Sequence, residues 1–191
     1  MAIIRKGNKA VLLIVDVQVG VMRDAWEAPR IIQNIGKSVD KARKQDIPVI
    51  WVQHSDDELV SGSDDWQIPA ELSPREEDIR IYKHYNSAFE ATVLEEKLAQ
   101  LGVAHIALAG AATNWCIRAT AYAALERGYD LTLIEDAHTT GTIELENGGK
   151  IDASNIIDEL NIVMEWVSYP SRKNRTVSAH DLDFGLKGAD D

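Results

Sequence analysis

The sequence AVLLIVDV, which spans Ala10 to Val17, is almost continuously apolar until an aspartate interrupts it at position 16. A strand that is covered on both faces has this composition, whereas a strand with one face in water alternates apolar and polar residues. The segment therefore predicts a buried strand of a parallel sheet. Asp16 would end that strand, and a carboxylate in such surroundings is costly unless it finds a partner.

Strand-like and helix-like segments alternate along the rest of the chain. Further strands are predicted at 49–53, 79–82, 104–109, 130–134 and 162–165, and helices at 29–44, 88–101, 114–127 and 151–160. Six strands separated by helices are typical of a mostly parallel sheet that lies between two helical layers. The predicted fold class is therefore α/β, a three-layer αβα sandwich with a six-stranded sheet.

No linker or repeat divides the chain, so we predict a single domain over 1–191, with its core at about 10–170. Two polar segments lie outside the alternation of strands and helices. Residues 55–77 would form a long loop, and such loops in compact domains are usually functional or mobile. Residues 171–191 would form a polar tail that either wraps a partner subunit or is disordered.

Composition excludes several classes of protein. The net charge of −11 argues against binding to a nucleic-acid backbone. The sequence has no apolar run of about 18 residues, so we expect no membrane span. The first residues lack the apolar core of a signal peptide, and a single cysteine allows no internal disulfide. These features predict a cytoplasmic protein.

Polar side chains stand at the ends of three predicted strands. Asp16 ends the first strand, Lys83 follows the third and Cys116 follows the fourth. Ligands of open α/β sheets bind beyond the carboxyl ends of the strands, so these three side chains could meet at one site. A carboxylate can accept a thiol proton, an ammonium group can stabilise the thiolate, and the thiolate can attack a carbonyl carbon. Taken singly, the same residues could be a turn aspartate, a surface lysine and a buried structural cysteine.

Cys116 is the only cysteine, and it lies where the fourth predicted strand turns into the following helix. Free backbone N–H groups and the positive end of the helix dipole favour a thiolate at such a position. Because an unperturbed thiol has a pKa of ~8.5, we expect Lys83 and the helix end to lower the pKa of Cys116.

Three motifs occur in order along the chain: LIVDVQ at 13–18, Lys83 followed by NSAF at 86–89, and GAATNWC at 110–116. Together they resemble the isochorismatase-like cysteine hydrolases, which include nicotinamidases and N-carbamoylsarcosine amidases. The resemblance implies a catalytic triad of Asp16, Lys83 and Cys116 that works through a thioester acyl-enzyme. It also implies a Rossmann-like strand order in which the first and fourth strands are neighbours.

The same resemblance implies a non-proline cis peptide bond between Ala111 and Ala112. It assigns the oxyanion hole to the backbone N–H groups of Ala112 and Cys116. Four side chains near the motifs are candidates for substrate binding: Gln18, His54, Phe89 and Trp115. Aromatic members of this set could form apolar pocket walls, or they could be ordinary core residues.

Nicotinamidases of the family carry a metal site that is built on an Asp-x-His pair after the second strand. This chain has QHSDD at 53–57 in that place, so we expect no metal, no other cofactor and no nicotinamidase activity. The acidic residues of this loop could form a pocket rim for a cationic substrate or a solvated surface. A weaker resemblance over residues 51–68 to the streptothricin hydrolase branch favours an amide or lactam substrate.

We therefore predict a hydrolase of a small-molecule amide or lactam C–N bond, with no nucleic-acid or membrane partner. The family usually associates, which implies a homodimer or a larger homo-oligomer. One alternative is an isochorismatase-type vinyl-ether hydrolase, which uses an acidic residue in place of the cysteine nucleophile. The others are a catalytically idle binding protein on the same fold and a redox-sensing cysteine.

Overall fold

The computed structural model describes residues 5–185, and its centre is a six-stranded sheet whose neighbouring strands are all parallel. The strands of the chain are β1 (Lys9–Val15), β2 (Val49–His54), β3 (Ile79–Lys83), β4 (Val103–Ala111), β5 (Asp130–Thr139), β6 (Ile143–Glu144), β7 (Lys150–Ile151) and β8 (Asn174–Val177). The sheet order is β3-β2-β1-β4-β5-β8, and β6 and β7 form a separate antiparallel pair. The predicted α/β class and Rossmann-like order are therefore confirmed, with β1 and β4 adjacent.

The helices are α1 (Val19–Met22), α2 (Ala28–Lys44), α3 (Leu94–Leu101), α4 (Arg118–Glu126) and α5 (Ala153–Trp166). A 3₁₀ turn occupies Ala70–Leu72, and a π-helical turn occupies Thr113–Ile117. No helix within residues 5–185 combines the length and the apolar character that crossing a membrane requires.

Two hydrophobic cores lie on the two faces of the sheet, and β1 contributes to both. Val11, Leu13 and Val15 face the core that contains residues of α3, α4 and α5. Leu12 and Ile14 face the core under α2. Because successive side chains of a strand point to opposite faces, a strand between two cores must be apolar at every position. This requirement explains the continuous apolar run of β1.

The predicted sixth strand at 162–165 is wrong, because these residues form the last turns of α5. Within α5 the buried residues recur at helical spacing: Ala153, Ile156, Ile157, Leu160 and Met164. A short apolar run can belong to a strand or to a buried helix, and periodicity over four residues cannot distinguish them.

The actual sixth strand is β8, which lies in the predicted polar tail and pairs with β5. Ala179, Leu182 and Phe184 beyond it are buried in the core under α2. The alternative of a disordered tail is therefore wrong for 171–185, and the core extends beyond its predicted limit of about residue 170, whereas contact of this segment with a partner subunit stays a prediction. Residues 186–191, and the N-terminal residues 1–4, lie outside the described residues.

The predicted helix at 88–101 begins later, at Leu94. Ala91 has a positive φ of 51°, which no α-helix accommodates. Thr92 then accepts a hydrogen bond from the Leu94 backbone N–H at 3.2 Å. This bond satisfies one of the N–H groups that the first helical turn leaves free.

We expect acid to destabilise the fold through the buried His105 of β4. Burial, together with nearby Arg175, lowers the pKa of His105 to about 4 from an ordinary value of 6.5. As the pH falls, His105 is therefore protonated in the unfolded chain before it is protonated in the folded chain. Its contribution to the free energy of unfolding is fully present above pH 6.5 and is lost progressively toward pH 4. Between about pH 7.5 and about pH 5, this residue alone should lower the free energy of unfolding by about 2 kcal/mol.

Urea unfolding at those two pH values, for the native protein and for His105→Gln, measures this contribution. The variant should lose less stability on acidification than the native protein does. His180→Gln is the matched control, because it makes the same substitution at an exposed histidine. An equal pH dependence in native protein and His105→Gln would show that His105 does not carry the effect.

Candidate active site

The ends of β1, β3 and β4 bring Asp16, Lys83 and Cys116 together. Asp16 directly follows β1, and Lys83 is the last residue of β3, which β2 separates from β1. The Lys83 side chain reaches across the end of β2, and its Nζ lies 2.6 Å from Asp16 Oδ2. The same Nζ lies 3.3 Å from Cys116 Sγ and donates to the Tyr85 carbonyl oxygen at 3.0 Å. Lys83 therefore contacts both other members of the predicted triad.

Both Asp16 and Lys83 are buried, whereas Cys116 is half-buried. Burial raises the pKa of Asp16, while the positive charge of Lys83 opposes the shift. Burial also raises the pKa of the Cys116 thiol to about 12, and the Asp16 carboxylate adds to that increase. Lys83 lowers the pKa of the thiol but does not outweigh the two opposing effects.

The prediction of a lowered thiol pKa is therefore wrong. A thiolate in this cluster would be poorly solvated and would lie beside a second negative charge, that of Asp16. The thiol is therefore neutral at neutral pH, and it lies in contact with Lys83 and beside Asp16. Such an arrangement favours removal of the thiol proton by Asp16 during attack rather than a preformed thiolate.

Gly110 allows the nucleophile turn to approach β1. It has a φ of 130°, and a Cβ atom there would lie 2.0 Å from the Val15 carbonyl oxygen. Only glycine tolerates both the conformation and the contact. The Ala111–Ala112 peptide bond that follows is cis. The turn then closes with two bonds to the Ala112 carbonyl oxygen, from the N–H groups of Trp115 at 3.0 Å and Ile117 at 3.1 Å.

The end of β5 supports this turn, which is a feature that the sequence analysis missed. Thr140 Oγ1 donates to Asn114 Oδ1 at 2.7 Å, and Thr113 Oγ1 lies 2.9 Å from His138 Nδ1. Both pairs join β5 or the residue after it to the turn that carries Cys116. The available signal was the polar run HTT at 138–140, a few residues beyond the predicted strand at 130–134.

Gln18 is fully buried, and its side-chain amide binds backbone groups. Its Nε2 donates to the carbonyl oxygens of His54 and Trp66, each at 3.0 Å. Its Oε1 accepts a hydrogen bond from the His54 N–H at 2.8 Å. Gln53 Nε2 also donates to the Trp66 carbonyl oxygen, at 3.0 Å. Gln18 therefore anchors the 55–77 loop to the end of β2, and it would affect a substrate through that loop.

The structure separates the other predicted substrate-binding residues. Trp115 is 58% exposed beside Cys116. Phe89 is only 6% exposed, and its ring lies in the core, 5.9 Å from the ring of Tyr129. Tyr129 directly precedes β5, so it lies at the amino ends of the strands, whereas the triad lies at their carboxyl ends. Phe89 is therefore not brought to the site, because its ring fills the core.

His54 links the triad to a neighbouring cavity. Its Nδ1 lies 3.4 Å from Lys83 Nζ, and its Nε2 lies 3.1 Å from Asp56 Oδ2. The cavity has a volume of about 330 Å³, and its charged lining consists of Arg23, Asp56, Glu58 and Asp65. Arg23 forms an ion pair with Asp65, so the lining stays acidic overall. Within residues 5–185, no three His, Cys, Asp or Glu side chains are grouped as a metal ion would require.

Comparisons with known proteins give a consistent result. The model of the Isochorismatase domain matches residues 10–157. The isochorismatase family protein YecD of Escherichia coli O157:H7 is 30% identical over 155 residues, which cover 71% of this chain and 82% of that protein. Streptothricin hydrolase of Streptomyces noursei is 32% identical over 146 residues, which cover 72% of this chain and 57% of that protein.

Among solved structures, an isochorismatase from Pseudomonas putida KT2440 is similar to this chain, with a TM-score of 0.82 and 26% identity. The alignment covers 92% of this chain and 91% of that one. The similarity therefore extends beyond the matched domain to nearly the whole chain, and includes the sheet on which the three strand-end residues lie.

Proposed function

The chain belongs to the isochorismatase family of hydrolases, and on this basis we propose that it cleaves the C–N bond of a small amide or lactam through a thioester on Cys116. One observation carries the proposal. Lys83 Nζ contacts Asp16 Oδ2 at 2.6 Å and Cys116 Sγ at 3.3 Å, and both Asp16 and Lys83 are buried. A nucleophile, a base and a cation that contacts both are the parts that acyl transfer needs.

Acylation begins with the neutral thiol beside the Asp16 carboxylate. Cys116 Sγ forms a bond to the carbonyl carbon while the thiol proton moves to Asp16, and the carbonyl π electrons move to oxygen. The backbone N–H groups of Ala112 and Cys116 are the proposed donors to the resulting oxyanion. Asp16 then returns the proton to the nitrogen, the C–N bond breaks, and the amine leaves.

Deacylation repeats these steps with water. Asp16 removes a proton from a water molecule as its oxygen attacks the thioester carbonyl carbon. The C–S bond breaks, and the proton returns to the sulfur. The products are a carboxylic acid and an amine, which for a lactam are the two ends of one ring-opened molecule. The thiol, Asp16 and Lys83 regain their initial states.

Lys83 makes the proton transfer feasible despite the high pKa of the thiol. During attack, negative charge moves from Asp16 to Cys116 and then to the carbonyl oxygen. Since Lys83 Nζ contacts both residues, this charge stays close to the ammonium group throughout the first transfer. A charge that moves within contact of a fixed cation needs little reorganisation of the surroundings, which lowers the barrier.

The acidic cavity beside His54 supports an uncharged or cationic substrate. Asp56, Glu58 and Asp65 would repel an anion that approaches from this side. Isochorismate is an anion, so the cavity argues against the vinyl-ether alternative, as does the presence of a cysteine nucleophile. The resemblance to streptothricin hydrolase supports the same choice of amide or lactam.

A panel of small amides and lactams tests the proposal. Each neutral compound is paired with an amino-substituted and a carboxyl-substituted analogue, and amine or ring-opened product is measured with native protein and Cys116→Ala. We expect turnover that depends on Cys116 and is weakest for the carboxylate of each set. Cleavage of vinyl ethers but of no amide or lactam would contradict the proposal, as would turnover that survives in Cys116→Ala.

A further inference from the structure

A buried histidine connects the nucleophile turn to α5. His138 Nδ1 lies 2.9 Å from Thr113 Oγ1, and His138 Nε2 lies 2.9 Å from Asn161 Oδ1. His138 and Thr113 have no exposed surface. Thr113 directly follows Ala112 and is the first residue of the π-helical turn that contains Cys116. The catalytic steps proposed above make no use of His138.

The hydrogen bonds of Asn161 and His138 show which atom donates and which accepts in each pair. Asn161 Nδ2 donates to the Glu135 carbonyl oxygen at 3.1 Å, so Asn161 Oδ1 is the atom that faces His138. His138 Nε2 must therefore carry a proton and donate it to Asn161. Burial lowers the pKa of His138 to about 4, so the ring is neutral at neutral pH. Its Nδ1 is then an acceptor, and the Thr113 hydroxyl donates to it.

We propose that His138 is a positioning residue that fixes the oxyanion-binding backbone through the hydroxyl of Thr113. The chain of contacts runs from the Glu135 backbone through Asn161 and His138 to Thr113. His138 and Thr113 are fully buried, Asn161 lies on α5 and Glu135 on β5, so these contacts tie Thr113 to a helix and a strand of the domain. The Ala112 N–H lies one residue away, and a small displacement there weakens its bond to the oxyanion. This inference rests on the proposed function, because it assumes acyl transfer at Cys116.

Two reactions of the same thiol separate positioning of the oxyanion site from general loosening of the turn. Acylation of Cys116 by p-nitrophenyl acetate passes through a tetrahedral oxyanion. Alkylation of Cys116 by iodoacetamide is a displacement at carbon and forms no oxyanion. A variant that misplaces the Ala112 N–H should therefore slow acylation and leave alkylation unchanged.

Thr113→Val and Thr113→Ser form a matched pair of variants. Valine keeps the shape of threonine but cannot donate, whereas serine keeps the hydroxyl. Thr113→Val should acylate about 10-fold to 100-fold more slowly, with alkylation within about 2-fold of the native rate. Thr113→Ser should stay close to native in both reactions.

His138→Asn and His138→Gln test the other side of the bond. An asparagine amide ends where Nδ1 of histidine lies and can accept from Thr113, whereas a glutamine amide ends near Nε2. Acylation should therefore be slower in His138→Gln than in His138→Asn. The double variant Thr113→Val with His138→Gln should be no slower than the slower single variant, because both changes remove the same hydrogen bond.

Equal acylation by Thr113→Val and Thr113→Ser would overturn the inference, as would equal losses of acylation and alkylation in Thr113→Val. The native protein provides a separate test of the underlying function. If p-nitrophenyl acetate does not acylate native Cys116, the proposed function fails and the inference fails with it. If native Cys116 is acylated and the threonine variants are alike, only the inference fails.

Discussion

Replacing Cys116 with alanine should reduce turnover of the amide or lactam substrate by at least about 10³-fold. The reason is chemical, because no other side chain in the cluster can form the covalent intermediate. Asp16 and Lys83 would remain in contact, so the variant should keep its fold. The measurement is the single-turnover rate of product formation for native protein and variant at saturating substrate.

Cys116→Ser is the matched control for this prediction. It keeps a hydroxyl near Asp16 and Lys83, but an alcohol is a much weaker acid than a thiol and loses its proton less readily. We expect Cys116→Ser to be nearly as inactive as Cys116→Ala, with unchanged thermal unfolding in both. Substantial turnover by Cys116→Ala would mean that the reaction proceeds without a covalent intermediate on this residue.

Replacing Asp16 with asparagine should lower kcat by about 10²-fold to 10⁴-fold, which is the usual contribution of a general base. Asparagine has nearly the same shape as aspartate but cannot accept a proton at neutral pH. The Cys116 thiol, whose pKa is still raised by burial, would then lack the group that removes its proton. The measurement is kcat for the variant, with circular dichroism and urea unfolding to follow the fold.

The pH profile of the native protein tests the same role without a substitution. Asp16 acts as a base only when it is ionised, so kcat/KM should fall as the pH drops through its pKa. Burial raises that pKa, so the fall should occur above the ordinary aspartate value of 3.8. A profile with no acidic decrease above that value would contradict the assignment of Asp16 as the base.

This second test matters because Asp16→Asn leaves Lys83 without its buried carboxylate. Removing one partner of a buried ion pair costs about 3–5 kcal/mol, since the remaining charge is uncompensated. A loss of stability would therefore accompany the loss of activity in this variant. The native pH profile is free of that complication.

The parts of the fold that the sequence predicts are those in which local pattern and tertiary environment agree. The apolar run that forms β1 has one stable placement, between two helical layers, and the aspartate that follows it lies at the carboxyl end of the strand. The GAATNWC motif was recognised in the sequence, whereas the close approach of Gly110 to β1 is seen only in the structure. The meeting of Asp16, Lys83 and Cys116 was expected from their positions at strand ends and from the resemblance to the family, and the structure brings the three side chains together.

Other features depend on tertiary contacts that the local sequence does not record. Residues 174–177 (NRTV) form a short and mostly polar segment. They become a strand because β5 offers a free edge. The thiol pKa was predicted in the wrong direction because the helix end is visible in the sequence, whereas the extent of burial and the nearby carboxylate are not. Phe89 lies within a motif of the site but points into the core for a similar reason.

The most direct test of the central claim is intact-mass and peptide-mass spectrometry of native protein that is quenched in acid during reaction with p-nitrophenyl acetate. The mechanism predicts a gain of one acetyl group on the peptide that contains Cys116. The adduct should be released by hydroxylamine, as a thioester is, and should be absent from Cys116→Ala. An acetyl group found only on other residues, or no adduct while p-nitrophenol is still released, would contradict catalysis through a Cys116 thioester.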